Sequence, residues 1–483
     1  MYLGLDIGTS GVKAVITASD GRVVSQCSAA LSVSRPHDLW SEQAPDDWVD
    51  ATSRAVLGLD AGLRRAVAGI GLAGQMHGAT LLGADDRPLR PAILWNDGRS
   101  FAECAELEAA EPRTRAITGN IAMPGFTAPK LLWVRRHEPE VFAATRTVLL
   151  PKDYVRLALT GEKASDLSDA AGTLWVDVAA RQWSEAMLTA TGLSVDHMPR
   201  LHEGPDVTGH LRADIAAQWG MERVPVFAGA GDNAAGALGV GVTGAGQGML
   251  SLGTSGVIFV ADTAFRPNPA RAVHAFCHAL PGVWHQMSVH LSAASCIDWA
   301  AAACRVGAAA EFFALAESAG PMAGPELFLP YLSGERTPHN DPHIRAGFLD
   351  MSNATTTARL AAAVLEGIAF AHADGIDALR EAGTQIGELA VIGGGSRSLY
   401  WGQILASTLG VTLHYLEGGE VGPALGAARL AQIAAGGAIA DVCVRPPVRA
   451  TIDPDPALAA RLAPKRQRFQ RAYHALRQLQ ELH

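Results

Sequence analysis

No CxxC pair occurs in this chain, and its six cysteines (Cys27, Cys104, Cys277, Cys296, Cys304 and Cys443) stand far apart. That spacing excludes a zinc ribbon and a disulfide framework, and points to reduced thiols in the cytoplasm. Aromatic residues are few, at 6%. An excess of positive charge is also missing, with 39 Lys+Arg against 48 Asp+Glu and a formal net charge of -9. A nucleic-acid binder held by a broad basic face is excluded by that balance. Any phosphate must be held by local donors, such as backbone N–H groups at helix starts. No apolar run reaches the ~20 continuous residues of a membrane span. The charge-free stretch 234–261 is interrupted by glycines and Gln247, and reads as a helix, a turn and two strands. No basic start precedes residues 2–6, so no signal peptide is expected.

What is present is a long chain of 483 residues, 48% hydrophobic. Single cores stop growing near ~250–300 residues, so two domains are expected. The N-terminus reads as strands at 2–6, 12–17 and about 22–33, a helix at 46–59 and a buried strand at 66–73. That order begins an α/β layer fold. Gly8-Thr9-Ser10-Gly11-Val12 recurs letter for letter as Gly253-Thr254-Ser255-Gly256-Val257, each copy between two strand-like runs. A duplicated unit follows from that repeat, with the halves at 1–244 and 245–483. An amphipathic helix from Pro464 closes the chain.

Each Gly-Thr-Ser-Gly tip gathers backbone N–H groups and hydroxyls, the makings of a phosphate cradle. Asp6 just before the first tip suggests an intervening Mg²⁺, held directly or through water; an ordinary hairpin with Asp6 as turn acceptor is the other reading. Gly393-Gly394-Gly395-Ser396 lies between a strand at 389–392 and a helix from about 400, the setting for a nucleotide at a helix start or for a packing turn. Asp232 ends a strand-like run at 226–231 and opens a small-residue helix, as N-cap or as general base towards a hydroxyl. Gln75, Met76 and His77 follow one strand, and Asn96, Asp97 and Arg99 follow another. Both clusters offer mixed donors and acceptors for a polyhydroxyl ligand, or are solvated turns. His274, Cys277, His278, His285 and His290 lack the spacing of a metal motif.

Several of these runs, with residues 2–13, 123–140, 165–173 and 328–339, resemble the FGGY carbohydrate kinases of the sugar kinase/actin superfamily. Gly125-Phe126-Thr127-Ala128-Pro129-Lys130-Leu131-Leu132-Trp133 is similar to the family's first signature. The second, at 346–366, departs at Asp350 and Arg359. The resemblance implies two ribonuclease-H-like domains flanking a deep cleft, and ATP-dependent transfer to the C5 hydroxyl of D-xylulose. Another ketopentose such as ribulose, or a polyol, is the alternative acceptor, and a sugar-independent actin-like ATPase the remaining one. It implies Asp232 as the base, Asp6 with Gly8, Thr9, Ser10 and Lys13 on the magnesium and γ-phosphate side, Gly253 and Thr254 at the β-phosphate, and Gly394, Gly395 and Ser396 at the adenosine. Met76 and His77, with Gln75 and Asn233, border the sugar, and Asn96, Asp97 and Arg99 support the pocket. The expected partners are ATP, Mg²⁺ and a small ketopentose, with no nucleic acid or membrane, for a monomer or homodimer.

Overall fold

The computed structural model describes residues 1–417 and 422–480, and the side chain of Ser396 lies outside what it describes. The first unit opens with strands β1 (Tyr2–Ile7), β2 (Gly11–Thr17) and β3 (Val23–Ala30). Helix α1 (Pro45–Leu57) and strand β4 (Ile70–Gly74) come next, then α2 (Thr127–His137) and α3 (Pro151–Thr160). Strands β5 (Val207–His210), β6 (Pro225–Phe227) and β7 (Ala230–Gly231) lead into α4 (Asp232–Gly239). The second unit holds β8 (Gln247–Leu252), β9 (Gly256–Asp262), β10 (His274–Cys277) and β11 (Trp284–His290). After α5 (Thr357–Glu381) come β12 (Glu388–Ile392), α6 (Leu399–Leu409), β13 (Thr412–Leu416), α7 (Pro423–Ala434), β14 (Val448–Ile452) and α8 (Pro456–Gln480).

The two sheets repeat one plan. The first runs β5-β6-β4-β1-β2-β3, and the second β14-β13-β12-β8-β9-β11-β10. In each, an antiparallel hairpin (β1–β2, β8–β9) carries the Gly-Thr-Ser-Gly tip. In each, a parallel strand lies beside the hairpin's first strand: β4 beside β1, β12 beside β8. The repeated letters thus mark a repeated topology.

The units meet through backbone. Helix α7 belongs to the second half of the chain but lies on β1 and β4 and crosses α4. A Cβ on Gly4 would stand 1.9 Å from the Ala424 carbonyl oxygen, on Gly71 1.8 Å from that of Ala427, and on Gly426 1.8 Å from that of Ala235. Only glycine permits such approaches, so these contacts fix where the two sheets join.

Some boundaries differ from the sequence reading. The run 226–231 is two strands, because Gly229 turns the chain with φ +79 where a Cβ would strike the Leu72 carbonyl. The last helix starts at Pro456, with Pro464 inside it. Burial of Leu458, Leu462, Phe469 and Tyr473 on one face carries the helix past the missing N–H. At the second signature, Asp350 adopts φ 59 and pairs with Arg468 of α8, while Arg359 pairs with Glu326 at 2.9 Å. Both departures thus have partners. Among the described residues, no helix is long and apolar enough to cross a membrane.

Candidate active site

Sheet register brings two carboxylates to one edge. Asp6 of β1 is level with Ala73 of β4, and Ala73 is level with Ala230 of β7. Two strand spacings, ~10 Å, therefore separate the backbones that deliver Asp6 and Asp232. Both leave the carboxyl end of parallel strands, where α/β sheets place ligands.

Asp232 is the first residue of α4, and Gly231 is the cap. Its Oδ1 accepts the Asn233 N–H at 2.7 Å and the Asn233 side-chain amide at 2.9 Å. Burial pushes its pKa up to about 6, and those two hydrogen bonds pull against the rise. A carboxylate with that proton affinity can exchange a proton near neutral pH. Asp6 has a buried Oδ1 with no hydrogen-bond partner. Burial and then the charge of Asp232 push its pKa up to about 7, and Lys13, its cross-strand neighbour, draws it back. An orphaned carboxylate oxygen beside a second carboxylate suits a bound cation. Mg²⁺ held by Asp6, directly or through water, fits these residues.

Gln75, read from the sequence as a sugar contact, turns its side chain to the first glycine tip. It is buried, its Oε1 accepts the Thr9 hydroxyl at 2.8 Å, and its amide donates to Gln43 Oε1 at 3.0 Å. Gln43 in turn donates to the Thr9 carbonyl at 2.7 Å, and Trp95 Nε1 to the Thr9 hydroxyl at 2.9 Å. Gln43, Gln75 and Trp95 thus brace the first glycine tip of Gly8, Thr9 and Ser10. Asp97 and Arg99, read from the sequence as support for the pocket, form a buried ion pair. Arg99, 1% exposed at its side chain, pairs with Asp97 at 2.7 Å and Glu42 at 2.8 Å. Its guanidinium lies 3.6 Å from the Trp40 ring centroid. The Asp97 carboxylate also accepts the Ser41 N–H at 2.6 Å. These contacts make the pair a scaffold, with Arg99 Nη1 buried and left without a hydrogen-bond partner. Asn96, just before Asp97, is exposed and lines a cavity of about 670 Å³ whose far wall, Leu291, Ser333 and Arg336, belongs to the second unit.

Met76 and His77 lie beyond the end of β4, next to the strand that delivers Asp232. A Cβ on Gly231 would stand 3.0 Å from Met76, and one on Gly172 2.5 Å from the His77 ring. His77 is partly exposed and adopts φ 68. Asn233 is committed to Asp232 through its amide.

In the second unit, Ser251 of β8 is level with Ile392 of β12, so the tip of Gly253 and Thr254 lies beside the Gly393–Gly395 turn. Gly393 has φ +87, and a Cβ there would stand 2.8 Å from the Leu252 carbonyl. Thr254 and Gly394 are exposed at this edge. Two glycine turns side by side present N–H groups to one anion path.

Sequence reasoning missed a buried charge cluster behind Asp232 in the first unit. Lys152 contacts Asp153 at 2.6 Å, Asp166 at 2.8 Å and Asp169 at 3.3 Å, all with no side-chain exposure. Asp166 accepts the Ser168 hydroxyl at 2.5 Å, and Ser168 accepts the Gly231 N–H at 3.1 Å, one residue before Asp232. The acids at 166 and 169 were a visible signal, but nothing local says that Lys152 meets them. The histidines of β10 and β11 are buried, and His274 and His285 stack on Phe276 and Phe259.

Comparison with known proteins agrees with this architecture. Residues 1–239 match the N-terminal domain of the FGGY family of carbohydrate kinases, and residues 248–435 match its C-terminal domain. The chain is 54% identical over 479 residues to the xylulose kinase of Escherichia coli (strain K12), covering 99% of each. It is 38% identical over 440 residues to the xylulose kinase of Bacillus subtilis (strain 168), covering 90% of this chain and 88% of that one. Among solved structures, a xyloylose kinase from Brucella ovis superposes with a TM-score of 0.95 at 50% identity, covering 99% of both chains. The xylulose kinase from Rhodospirillum rubrum gives 0.93 at 30% identity, again covering 99% of both. The chain therefore belongs to the FGGY family of carbohydrate kinases.

Proposed function

We propose that this carbohydrate kinase transfers the γ-phosphoryl group of ATP to the C5 hydroxyl of D-xylulose, giving D-xylulose 5-phosphate and ADP. The observation that carries the reading is the convergence of Asp232, Asp6 and His77 at one sheet edge; identity to xylulose kinases over the whole chain supports the choice of sugar.

The ketose lies against Met76 and His77, with its C5 hydroxyl at Asp232. As the new O–P bond forms and the bond to ADP breaks, the hydroxyl proton passes to the Asp232 carboxylate. The tip of Gly8, Thr9 and Ser10, braced by Gln43, Gln75 and Trp95, supplies fixed dipoles to the transferring group. Gly253 and Thr254 take the β-phosphate side, and Gly394 and Gly395 the adenosine side, with Ser396 beyond the described side chains. Mg²⁺ at Asp6, when bound, neutralises phosphate charge. Lys13 holds the Asp6 region electrostatically. The sugar-binding unit ends near residue 244 and the nucleotide-binding unit begins at 245. Six unpaired thiols suit the cytoplasm, and the active species is a monomer or homodimer.

Ketopentoses differ by single hydroxyl groups, so pocket hydrogen bonds decide among them. Measuring kcat/KM over D-xylulose, D- and L-ribulose and pentitols tests the assignment. D-xylulose is expected to rank first, and a better substrate in the panel overturns it.

A further inference from the structure

The conformation of His77 is costly by itself. A residue other than glycine with positive φ is disfavoured, and His77 has φ 68. Its carbonyl accepts two hydrogen bonds from one helix start: Thr127 Oγ1 at 3.1 Å and Lys130 Nζ at 2.8 Å. Lys130 also donates to the Gly125 carbonyl at 2.7 Å. The lysine itself is otherwise in a costly place, relieved by the more distant charge of Asp97. It is fully buried, and burial pushes its pKa down to about 7. It lies in the first turn of α2, where the helix dipole disfavours a cation. Among the described residues, no carboxylate reaches it within ion-pair distance. What those costs secure is the backbone of Gly125 and His77.

The ring is held as firmly as the carbonyl. His77 Nδ1 lies 2.6 Å from the Gly172 carbonyl oxygen, and Phe126 packs edge-on at 4.9 Å between centroids. A carbonyl only accepts, so Nδ1 carries the proton and Nε2 is left as an acceptor. Burial, then the nearby Lys130 charge, hold the His77 pKa down to about 3, so the ring stays neutral.

We propose that Lys130 and Thr127 are positioning residues for the sugar: they lock the left-handed His77 so that Nε2 accepts a hydrogen bond from a hydroxyl group of the bound ketose. This rests on the reading that the ketose lies at His77. It defines a specificity element, since a carbonyl oxygen or a deoxy carbon at that place has no proton to give.

Steady-state kinetics on Lys130→Met, Thr127→Val and His77→Asn, with thermal unfolding of each, tests it. Lys130→Met is expected to raise the KM for D-xylulose about tenfold or more, the scale of a lost charged hydrogen bond, and Thr127→Val by roughly fivefold. The KM for ATP stays within about twofold in both. Unchanged sugar KM in these two variants, with a raised value in His77→Asn, overturns the positioning role. A fall in kcat with no change in sugar KM, or an equal rise in both KM values, overturns it as well. Unchanged sugar KM in His77→Asn instead overturns the placement of the ketose. Because Lys130→Met removes a buried cation and is able to unfold the chain, the wild-type protein supplies a second measurement. Nitrogen-15 spectra of labelled histidine are expected to show His77 protonated at Nδ1 and bare at Nε2, and protonation at Nε2 refutes the proposal.

Discussion

Replacing Asp232 by Asn removes one ionisable group while keeping its shape. The amide oxygen can still accept the two Asn233 hydrogen bonds at 2.7 and 2.9 Å, so the start of α4 is retained. Loss of a positioned base costs 10²–10⁴ in turnover, which is about 3–5.5 kcal/mol of transition-state stabilisation. The stability effect has the opposite sign. The folded pKa, about 6, lies above the ordinary value of 3.8. Protonation of this group therefore favours the fold: its contribution is complete below ~4 and is lost as pH rises through about 6. Above that pH the buried charge costs at most ~3 kcal/mol, a ceiling because the carboxyl retains some access to the cleft. Asp232→Asn should thus melt at least as high as wild type at pH 8 and lose that advantage by pH 4. In wild type at saturating Mg²⁺, which holds Asp6 ionised, kcat/KM should rise with pH through about 6 as the base ionises, and the residual activity of the variant should lack that limb. The assay couples ADP release to NADH oxidation with D-xylulose as acceptor, beside calorimetric unfolding at each pH. Turnover within tenfold of wild type, or the same acidic limb in the variant, refutes the reasoning.

Asp6→Asn is expected to lower kcat by at least tenfold and to raise the Mg²⁺ concentration needed for half activity, with the sugar KM little changed; an unaltered Mg²⁺ titration removes Asp6 from the metal. Gly426→Ala forces a methyl to 1.8 Å from the Ala235 carbonyl oxygen, so a loss of roughly 2 kcal/mol or more is expected in chemical denaturation, and a wild-type midpoint contradicts the close crossing of α7 and α4. Arg99→Ala leaves the buried Asp97 without its cation, while Glu42 keeps Arg90 at 2.6 Å, a loss of about 3 kcal/mol. If Arg99 is scaffold, the folded variant keeps its sugar KM, whereas a raised KM with unchanged stability restores it to the pocket. Ser168→Ala frees the Gly231 N–H and should lower kcat severalfold without changing the KM for ATP; unchanged kcat means that this contact does not position the base.

Much of the site could be read from local letters because its key features are local. The repeated Gly-Thr-Ser-Gly-Val marks a hairpin tip in both units, and in both sheets a parallel strand lies beside the hairpin's first strand. Asp6 and Asp232 end strands, and strand ends in parallel arrangements share an edge. Side-chain direction was harder. Gln75 adjoins Met76 in sequence, yet turns to Thr9, sixty-six residues away. Arg99 looks like a donor at a strand end, but Trp40, Glu42 and Trp133 enclose it, and no short window contains all of them. Lys152 meets Asp166 and Asp169 only after the chain between them folds back. Pro464 argued for a helix start, and tertiary burial of Leu458 and Leu462 carried the helix further back. Long-range packing decided each of these cases, and residue periodicity does not report it.

The most direct test is the crystal structure of the closed enzyme with D-xylulose and a non-hydrolysable ATP analogue. The Asp232 carboxylate is expected ~2.6–3.2 Å from the C5 hydroxyl oxygen, with the γ-phosphorus in line behind it. A closed complex in which Asp232 faces away from the sugar, or another side chain holds that hydroxyl, contradicts the assignment of the base.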